Sequence, residues 1–349
     1  MKLPEPAHSV ATKIFEAYEN DAKTGNRPHL GASLIGHACE RYLWMTFRWV
    51  YDKKFPGRML RLFETGQREE SRLVENLRRI GVEVHDTAPD GSQWRVSALG
   101  RHFGGSMDGA AVGLPEAPKT WHVLEFKTHN DKSFADLLKN GVAKAKPQHF
   151  AQMQIYMGLT GMERALYMAV NKNNDDIYTE RVEFDQVEFA KLKARAERVI
   201  NANEPPLRCS NDPSWYVCKM CDFHGHCHSN RVPDVNCRTC AHSTPEMDGD
   251  ARWSCAKLEV DVDIDMQRSS ECSQHRFIPV LLQNIGDMVD VEGDNVKYKG
   301  PTGEFFNGDG DDKLSSLELR AMSHPEMAGE VSKVKDQLVE QGFPGRVAK

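Results

Sequence analysis

Nine cysteines constrain the fold of this chain more than any other feature, because eight of them crowd into residues 209–272. Cys39 stands alone near the start, and the others are Cys209, Cys218, Cys221, Cys227, Cys237, Cys240, Cys255 and Cys272. An odd count and repeated C-x2-C spacing favour metal ligation in a reducing compartment over a disulfide framework. We therefore expect most of these thiols to bind metal.

The length and the charge distribution predict more than one folded unit. With about 150 residues per domain as a guide, 349 residues suggest roughly two domains. The net charge of -6 argues against a nucleic-acid partner, but residues 1–227 carry 31 Lys and Arg against 29 Asp and Glu, whereas residues 228–349 carry 14 against 22. The start of the chain lacks the apolar stretch of a signal peptide, so we expect a cytoplasmic protein without a membrane segment.

Hydrophobic periodicity predicts an α/β core between residues 33 and 203. Leu62, Leu73, Leu77 and Ile80 recur at helical spacing, and Pro147 stands in the first turn of a second helix. Short β-type runs fill 81–128 and 164–184. Further predicted elements are a helix over 8–23, a helix over 185–203, a boundary at 204–206, a hairpin within 294–308 and a polar helix over about 325–341.

The run from Val123 to Lys127 is the most informative stretch for chemistry. On a strand, Glu125 and Lys127 project to the same face, and a hairpin can bring Asp108 beside Glu125. Carboxylate oxygens are ligands that Mg2+ or Mn2+ prefers, and Glu70 can supply a third. A lysine beside them suits phosphodiester hydrolysis, although a Glu-x-Lys pair alone is also a common surface ion pair.

The order of these residues resembles the PD-(D/E)XK nuclease superfamily, and within it the RecB-type exonuclease branch. The resemblance covers about 33–230 and includes a helix with Gln152 and Tyr156 at i, i+4. It implies a restriction-endonuclease-like core, a central mixed β-sheet flanked by helices. It also implies that Asp108 and Glu125 bind the metal, with Glu70 the least secure ligand, that Lys127 assists the water, and that Gln152 and Tyr156 contact DNA or orient the site. Met107 precedes Asp108 where the superfamily's name has proline.

Cys218, Cys221 and Cys227 form a C-x2-C-x5-C motif that needs a fourth ligand. Spacing alone leaves Cys209, His224, His226 and Cys237 as candidates. The resemblance, which in cysteine layout is greatest to CRISPR-associated RecB-like exonucleases, implies instead that Cys39 completes the set and that the cofactor is a 4Fe-4S cluster. Zinc on the same four thiolates is the alternative.

Cys237, Cys240, Cys255 and Cys272 form a second set, predicted to be a small zinc-ribbon-like module with His242 and His275 as substitute ligands. Cys209 then remains as a free thiol.

Residues 41–61 interleave aromatic and cationic side chains in a pattern typical of single-strand binding channels. The aromatic members are Tyr42, Trp44, Phe47, Trp49 and Tyr51, and the cations are Arg41, Arg48, Lys53, Lys54, Arg58 and Arg61. The alternative is that at least half of these aromatic residues are buried. Lys144 and Lys146 are further candidates for phosphate contacts, and His149 is either a DNA contact or a structural residue.

The sequence therefore predicts a metal-dependent DNA exonuclease in recombination, repair or end processing. The resemblance to phage recombination exonucleases adds a phage origin and a single-strand annealing protein or recombinase as partner. A CRISPR-adaptation nuclease and a non-catalytic DNA-binding or assembly module are the alternatives. We predict four parts: an N-terminal helix (1–32), a nuclease domain (33–230), a cysteine-rich module (231–280) and an acidic C-terminal region (281–349). The acidic C-terminal region is predicted to be a binding surface for a basic partner, a shield for the active site, or a solvated appendage.

Overall fold

The computed structural model describes residues 9–22 and 26–343. The helices are α1 Val10–Asp21, α2 Glu40–Phe47, α3 Gly57–Arg79, α4 Asp131–Ala145, α5 Pro147–Thr160, α6 Gln186–Asn201, α7 Tyr216–Lys219, α8 His224–His228, α9 Ile264–Arg268, α10 Ser316–Ala321 and α11 Ala328–Glu340. The strands are β1 Leu30–Gly31, β2 Glu83–His85, β3 Arg95–Ala98, β4 Phe103–Ser106, β5 Gly109–Val112, β6 His122–His129, β7 Arg164–Asn171, β8 Ile177–Glu183, β9 Ser243–Pro245, β10 Trp253–Cys255, β11 Val260–Asp261, β12 Asp287–Glu292, β13 Asn295–Gly300 and β14 Gly303–Asn307.

A five-stranded sheet in the order β2-β5-β6-β7-β8 forms the centre of the fold. Only the β6–β7 pair is parallel, so the sheet is mixed. Leu124 and Phe126 of β6 pack with Leu77 of α3 on one face, while Val123 joins the core that contains Ile155 of α5 on the other. Helices cover both faces, which explains why β7 is an almost uninterrupted apolar run. The predicted α/β class with a central mixed sheet flanked by helices is confirmed.

The helix predicted after Pro147 is confirmed as α5. Proline occupies its first turn, where no intrahelical N–H bond is lost. The helix ends at Gly161, whose φ of 76° is a left-handed conformation that glycine adopts without steric cost. This helix carries Gln152 and Tyr156 to the sheet.

The predicted N-terminal helix is α1, and residues 8 and 23 of that prediction lie outside the described ranges. It packs against the start of α3, where the Gly57 N–H donates to the Glu19 carboxylate over 2.6 Å. Tyr18 also hydrogen-bonds to Glu64. Among the described residues, no helix is both long enough and apolar enough to cross a membrane.

Four of the five aromatic residues named in 41–61 are buried, which confirms the alternative that at least half of them are, and these four cannot stack on single-stranded DNA. Trp44, Phe47, Trp49 and Tyr51 are each at most 3% exposed, and Tyr42 is half-buried against Phe223. The physical reason is that α2 lies between the core of the five-stranded sheet and the cysteine-rich region and buries its aromatic rings against both. Of the cations in this segment, Arg48 is buried as well, whereas Lys54, Arg58 and Arg61 are exposed.

The cysteine-rich region carries its own three-stranded sheet, in the order β11-β10-β9. Trp253 of β10 is fully buried, and its ring lies 5.5 Å from that of Phe47 in α2. The region therefore packs directly on the first part of the chain.

The acidic region after residue 281 is folded as far as residue 343, which excludes a loose appendage over that range. The predicted hairpin is the β13–β14 pair, extended by β12 into an antiparallel sheet, and the predicted polar helix is α11. Tyr298 and Phe305 share a core with Val235 and Phe277 of the cysteine-rich region. The buried Lys335 amine donates to the Glu318 carboxylate over 2.7 Å and ties α11 to α10. Residues 344–349 lie outside the described ranges.

Candidate functional site

Glu125 and Lys127 lie side by side on β6, as the strand alternation predicts. The Glu125 carboxylate is fully buried and forms a short ion pair with the Lys127 amine. Lys127 is partly exposed and also donates to the main-chain carbonyl of Phe126 over 2.9 Å. The pair therefore lies at a point where the core of the sheet opens toward solvent.

Asp108 reaches the same point from the turn between β4 and β5. Its Oδ2 accepts a hydrogen bond of 2.7 Å from the Phe126 N–H, and the adjacent Gly109 pairs with Leu124. β5 and β6 thus hold Asp108 beside the strand that carries Glu125 and Lys127. Glu70 approaches from α3, closely enough that the charge of Asp108 raises the pKa of the Glu70 carboxyl. We call Glu70, Asp108, Glu125 and Lys127 the acid site.

The three acids of the acid site all hold protons more tightly than usual. Burial raises the pKa of Glu125 to about 8, and the charge of Asp108 adds to the effect against the opposing Lys127. Burial, and then the charge of Asp108, raise the pKa of Glu70 to about 7. Burial likewise raises the pKa of Asp108. Crowded acids with this behaviour are typical of a site built to receive a cation.

Neither oxygen of the buried Glu125 carboxylate accepts a well-aligned hydrogen bond from the described residues, despite the ion pair with Lys127. A buried carboxylate without hydrogen bonds is costly, and a divalent cation would satisfy those oxygens. The donor set of hard oxygens fits Mg2+ or Mn2+. As the side chains stand, no group of three or more described His, Cys, Asp or Glu residues is gathered closely enough to hold a metal ion. The ligands would therefore have to draw together on binding.

Gln152 and Tyr156 form one hydrogen-bonded unit on α5, beside β4. The Gln152 amide donates to the Tyr156 hydroxyl over 3.1 Å, and that hydroxyl donates to the main-chain carbonyl of Ser106 over 2.7 Å. A side chain at Gly105 would begin 2.7 Å from the Tyr156 oxygen, so glycine is needed there. Both α5 side chains are buried, and they anchor the segment that leads to Asp108.

A buried network on the same face of the sheet as Glu125 was not predicted from the sequence. Tyr167 stands opposite Glu125 in the β6–β7 register. Its hydroxyl lies 2.9 Å from His129 Nε2 and 2.9 Å from His149 Nδ1. Burial lowers the pKa of His129 to about 4 and that of His149 to about 3, so both rings are neutral at ordinary pH. His149 is therefore engaged in the interior. The only hint in the sequence is a tyrosine within the apolar run of β7, and the strand register cannot be read from that.

Cys39, Cys218, Cys221 and Cys227, which we call the first cysteine set, line one cavity together with Cys209. Cys39 lies just before α2, and the other three surround the short helices α7 and α8. The remaining lining includes Arg41 and Arg208 and the apolar side chains of Tyr42, Met45, Val217 and Phe223. The buried Nε of Arg41 has no hydrogen-bond partner among the described residues. An apolar cavity with several thiols and two cations fits an anionic metal–thiolate group.

Among the other candidate ligands for this first cysteine set, His224 also lines the cavity. His226 is buried, and its Nδ1 lies 3.3 Å from the main-chain oxygen of Arg231. Cys209 lies close to Cys39 and Cys218. Burial is the main cause that raises the pKa of the Cys209 thiol to about 12, and the thiols of Cys39 and Cys218 raise it further. The structure therefore places Cys209 beside the first cysteine set, and not apart from it.

Cys237, Cys240, Cys255 and Cys272, the second cysteine set, also lie near one another. Burial, followed by the charges of Cys240, Cys272 and Cys255, raises the pKa of Cys237 to about 12. His275 Nε2 lies 3.2 Å from the Thr239 hydroxyl and 3.1 Å from the Asn236 carbonyl, so this ring supports the turn that holds Cys237 and Cys240.

Of the predicted phosphate contacts on α4 and at its end, Lys144 is exposed, whereas Lys146 is half-buried and forms an ion pair of 3.6 Å with Asp136.

No protein-family model and no curated protein matches the chain. Solved structures resemble it in part. An alkaline exonuclease, LHK-Exo from Laribacter hongkongensis, is 17% identical, with 54% of this chain and 89% of that chain covered and a TM-score of 0.38. The same exonuclease in complex with dAMP gives a TM-score of 0.37 at 17% identity and the same coverage. The protein SSO0001 is 15% identical over 62% of this chain and 95% of that chain, with a TM-score of 0.38. Likeness at this level carries no conclusion about activity.

Proposed function

We propose that the chain is a metal-dependent DNA exonuclease of the PD-(D/E)XK type. The observation that carries the proposal is the acid site, in which the fully buried Glu125 carboxylate, whose close contact among the described residues is the ion pair with Lys127, lies beside Asp108 and Glu70. Glu125 and Asp108 would hold Mg2+ or Mn2+, and Glu70 would add a third oxygen. Bound there, the cation supplies a Lewis acid and an activated water for phosphodiester hydrolysis.

Lys127 contributes positive charge to the reaction. Burial alone would lower the pKa of the Lys127 amine, but the charges of Glu125 and Asp108 outweigh burial and raise it. The amine therefore stays protonated at neutral pH and donates hydrogen bonds. In this state Lys127 can orient the attacking water and stabilise the charge that develops on the phosphate oxygens, but it cannot accept a proton.

Gln152 and Tyr156 serve the same reaction by positioning. Their hydrogen bonds end on the Ser106 carbonyl, two residues before Asp108, so they fix the turn that aims the Asp108 carboxylate. We assign them this role in preference to direct contact with DNA, because both side chains are at most 6% exposed. DNA ends are the proposed substrate, and recombination, repair or end processing is the proposed setting.

We further propose that the first cysteine set binds a 4Fe-4S cluster, with zinc as the alternative metal. The support is the shared cavity, its apolar shell and its two flanking arginines, which would offset the negative charge of a cluster. Cys39 and the later three cysteines lie at opposite ends of the nuclease-like core in sequence. Metal held between them would link those ends and add its binding energy to folding.

The test of the exonuclease proposal is degradation of end-labelled DNA with Mg2+ or Mn2+. Wild-type protein should degrade the label, and Lys127→Ala should lower the rate by about 100-fold or more, as is common when a charge-stabilising group is lost. Lys193→Ala, an exposed lysine on α6, is the matched control and should retain full activity. Equal rates for wild type and Lys127→Ala would overturn the proposal.

The cluster is tested separately by colour and metal content. A brown protein whose iron and acid-labile sulfide are lost in Cys221→Ser supports the cluster. A colourless protein whose zinc is lost in the same variant supports zinc. Metal content unchanged in Cys221→Ser would contradict any metal at the first cysteine set.

A further inference from the structure

The second cysteine set converges through main-chain pairing. Cys237 and Cys240 bracket a 3-10 turn, Cys237–Thr239, that closes with the Cys240 N–H donating to the Cys237 carbonyl over 3.2 Å. The Asn236 side chain caps this turn by accepting from the Arg238 and Thr239 N–H groups. Such a turn directs two thiols, three residues apart, to one side, which is how C-x2-C motifs present ligands to a metal.

Two further pairings bring Cys255 and Cys272 to this turn. In the β9–β10 ladder Cys255 stands opposite Ser243, three residues after Cys240. Cys240 pairs with Phe277 in an isolated bridge, and the Ala241 N–H donates to the Arg276 carbonyl over 2.7 Å. The segment that begins at Cys272 is thereby held along Cys240. The backbone that carries the four cysteines is consequently held by hydrogen bonds that do not depend on the thiols, and the described thiols would draw together on metal binding, as at the acid site.

Within the same turn, Arg238 is a buried cation without an acidic partner in an ion pair among residues 9–22 and 26–343. Its side chain is 1% exposed, and its N–H groups donate to the Gln267 amide oxygen and to the carbonyls of Phe47 and Pro28. Each of these three acceptors is uncharged. Arg48, 2% exposed, is a second buried cation nearby and donates only to main-chain carbonyls. Both guanidinium groups lie over aromatic rings, Arg238 at 3.8 Å from the centre of Trp49 and Arg48 at 5.2 Å from that of Trp253, and negative charge close by would stabilise these buried cations further.

We propose that Cys237, Cys240, Cys255 and Cys272 bind one Zn2+ ion, and that this tetrathiolate site places stabilising negative charge near the buried Arg238. Four thiolates around a divalent ion leave an excess of two negative charges. Zinc follows from the all-sulfur donor set and from the C-x2-C turn, which is a spacing typical of structural zinc sites. Because Arg238 lies between two of the ligands and donates to the end of α2, zinc binding and docking of the cysteine-rich region onto the core are coupled.

Metal analysis of the full chain tests this site independently of nuclease activity. The zinc content of Cys255→Ser and Cys272→Ser should each fall by one equivalent relative to wild type. Cys39→Ser and Lys127→Ala should keep that equivalent, whichever metal the first cysteine set binds. Zinc retained in both Cys255→Ser and Cys272→Ser would overturn the proposal, as would loss of iron and sulfide in place of zinc.

If these serine variants do not fold, exchange of wild-type protein into Co2+ decides the question. Four thiolates around Co2+ give an intense tetrahedral visible spectrum and a sulfur charge-transfer band. That spectrum should persist in Cys39→Ser. The proposal would be overturned if Cys39→Ser lacked this Co2+ spectrum and the thiols of its second cysteine set reacted with an alkylating reagent.

The charge coupling has its own test, in competition with a zinc chelator. Arg238→Met should release zinc at a several-fold lower chelator concentration than wild type, whereas Arg101→Met, an exposed arginine, should not. Equal zinc affinity in Arg238→Met and wild type would show that Arg238 is not compensated by the metal site.

Discussion

Replacing Glu125 with glutamine should stabilise the metal-free protein at alkaline pH. The pKa of Glu125 is about 8 in the folded chain, above the ordinary value of 4.5, so the folded state keeps a proton that the unfolded state releases between these pH values. Wild-type stability is therefore lost as the pH rises through this window, and Glu125→Gln avoids the loss. At about 1.4 kcal/mol for each pH unit, the gap between 4.5 and about 8 corresponds to roughly 5 kcal/mol. This figure is an upper bound, because the variant also leaves Lys127 without its closest partner.

Urea unfolding of both proteins in a metal chelator, at several pH values between about 5 and 9, measures this difference. The stability difference in favour of Glu125→Gln should grow with pH up to about 8 and then level off. Glu163→Gln, an exposed glutamate, is the control for the general effect of removing a carboxylate. A difference independent of pH would refute the reasoning, since it would mean that Lys127 keeps Glu125 ionised throughout.

Three further outcomes follow from the structure. Tyr156→Phe removes a hydroxyl with two buried hydrogen bonds and should lower the free energy of urea unfolding by about 1–3 kcal/mol, whereas the exposed Tyr216→Phe should have little effect; equal values for the two would contradict this. Gly57→Ala would place a Cβ 2.2 Å from a main-chain oxygen of α1, so the amides of α1 should lose their slow hydrogen exchange. Gly66→Ala, on the open side of α3, should instead stabilise the protein by about 1 kcal/mol. The affinity for Mg2+ in calorimetric titrations should fall up to about tenfold from pH 8 to pH 7, because a proton must leave Glu125, and more steeply below pH 7, where Glu70 must lose one as well; a constant affinity would contradict this.

The strand and helix pattern of the core could be predicted because each element has an unambiguous period. The alternation in β6 placed Glu125 and Lys127 on one face, and the ion pair between them agrees. The i, i+4 spacing likewise placed Gln152 beside Tyr156, and a hydrogen bond joins them. Local spacing sufficed in both cases, because the two partners lie on the same element.

The sequence was misleading where burial depends on tertiary contacts. Rings alternating with cations predict a nucleic-acid surface or a buried helix equally well, and only the packing of Trp253 against Phe47 decides for burial. The hydrogen-bond network around Tyr167 could not be predicted for a related reason. Its partners come from three elements, and the register of β7 against β6 is a long-range property. The folded acidic region shows the same limit, since its core is shared with a preceding region.

Under the proposed function, protons, divalent cations and DNA compete or cooperate at the same three carboxylates. When Glu70, Asp108 and Glu125 are all ionised, three negative charges face the single positive charge of Lys127. The acid site without metal therefore repels a phosphate group. The raised pKa values are the chain's own response to this crowding, because a bound proton removes one charge at a time. A divalent cation offsets two charges, and it also satisfies the Glu125 oxygens, which accept no well-aligned hydrogen bond from the described residues. The cation should therefore bind before or together with DNA. Protonation of the carboxylates by itself would reduce the repulsion of DNA. Acidic pH should nevertheless weaken DNA binding at this site, because the protons displace the metal.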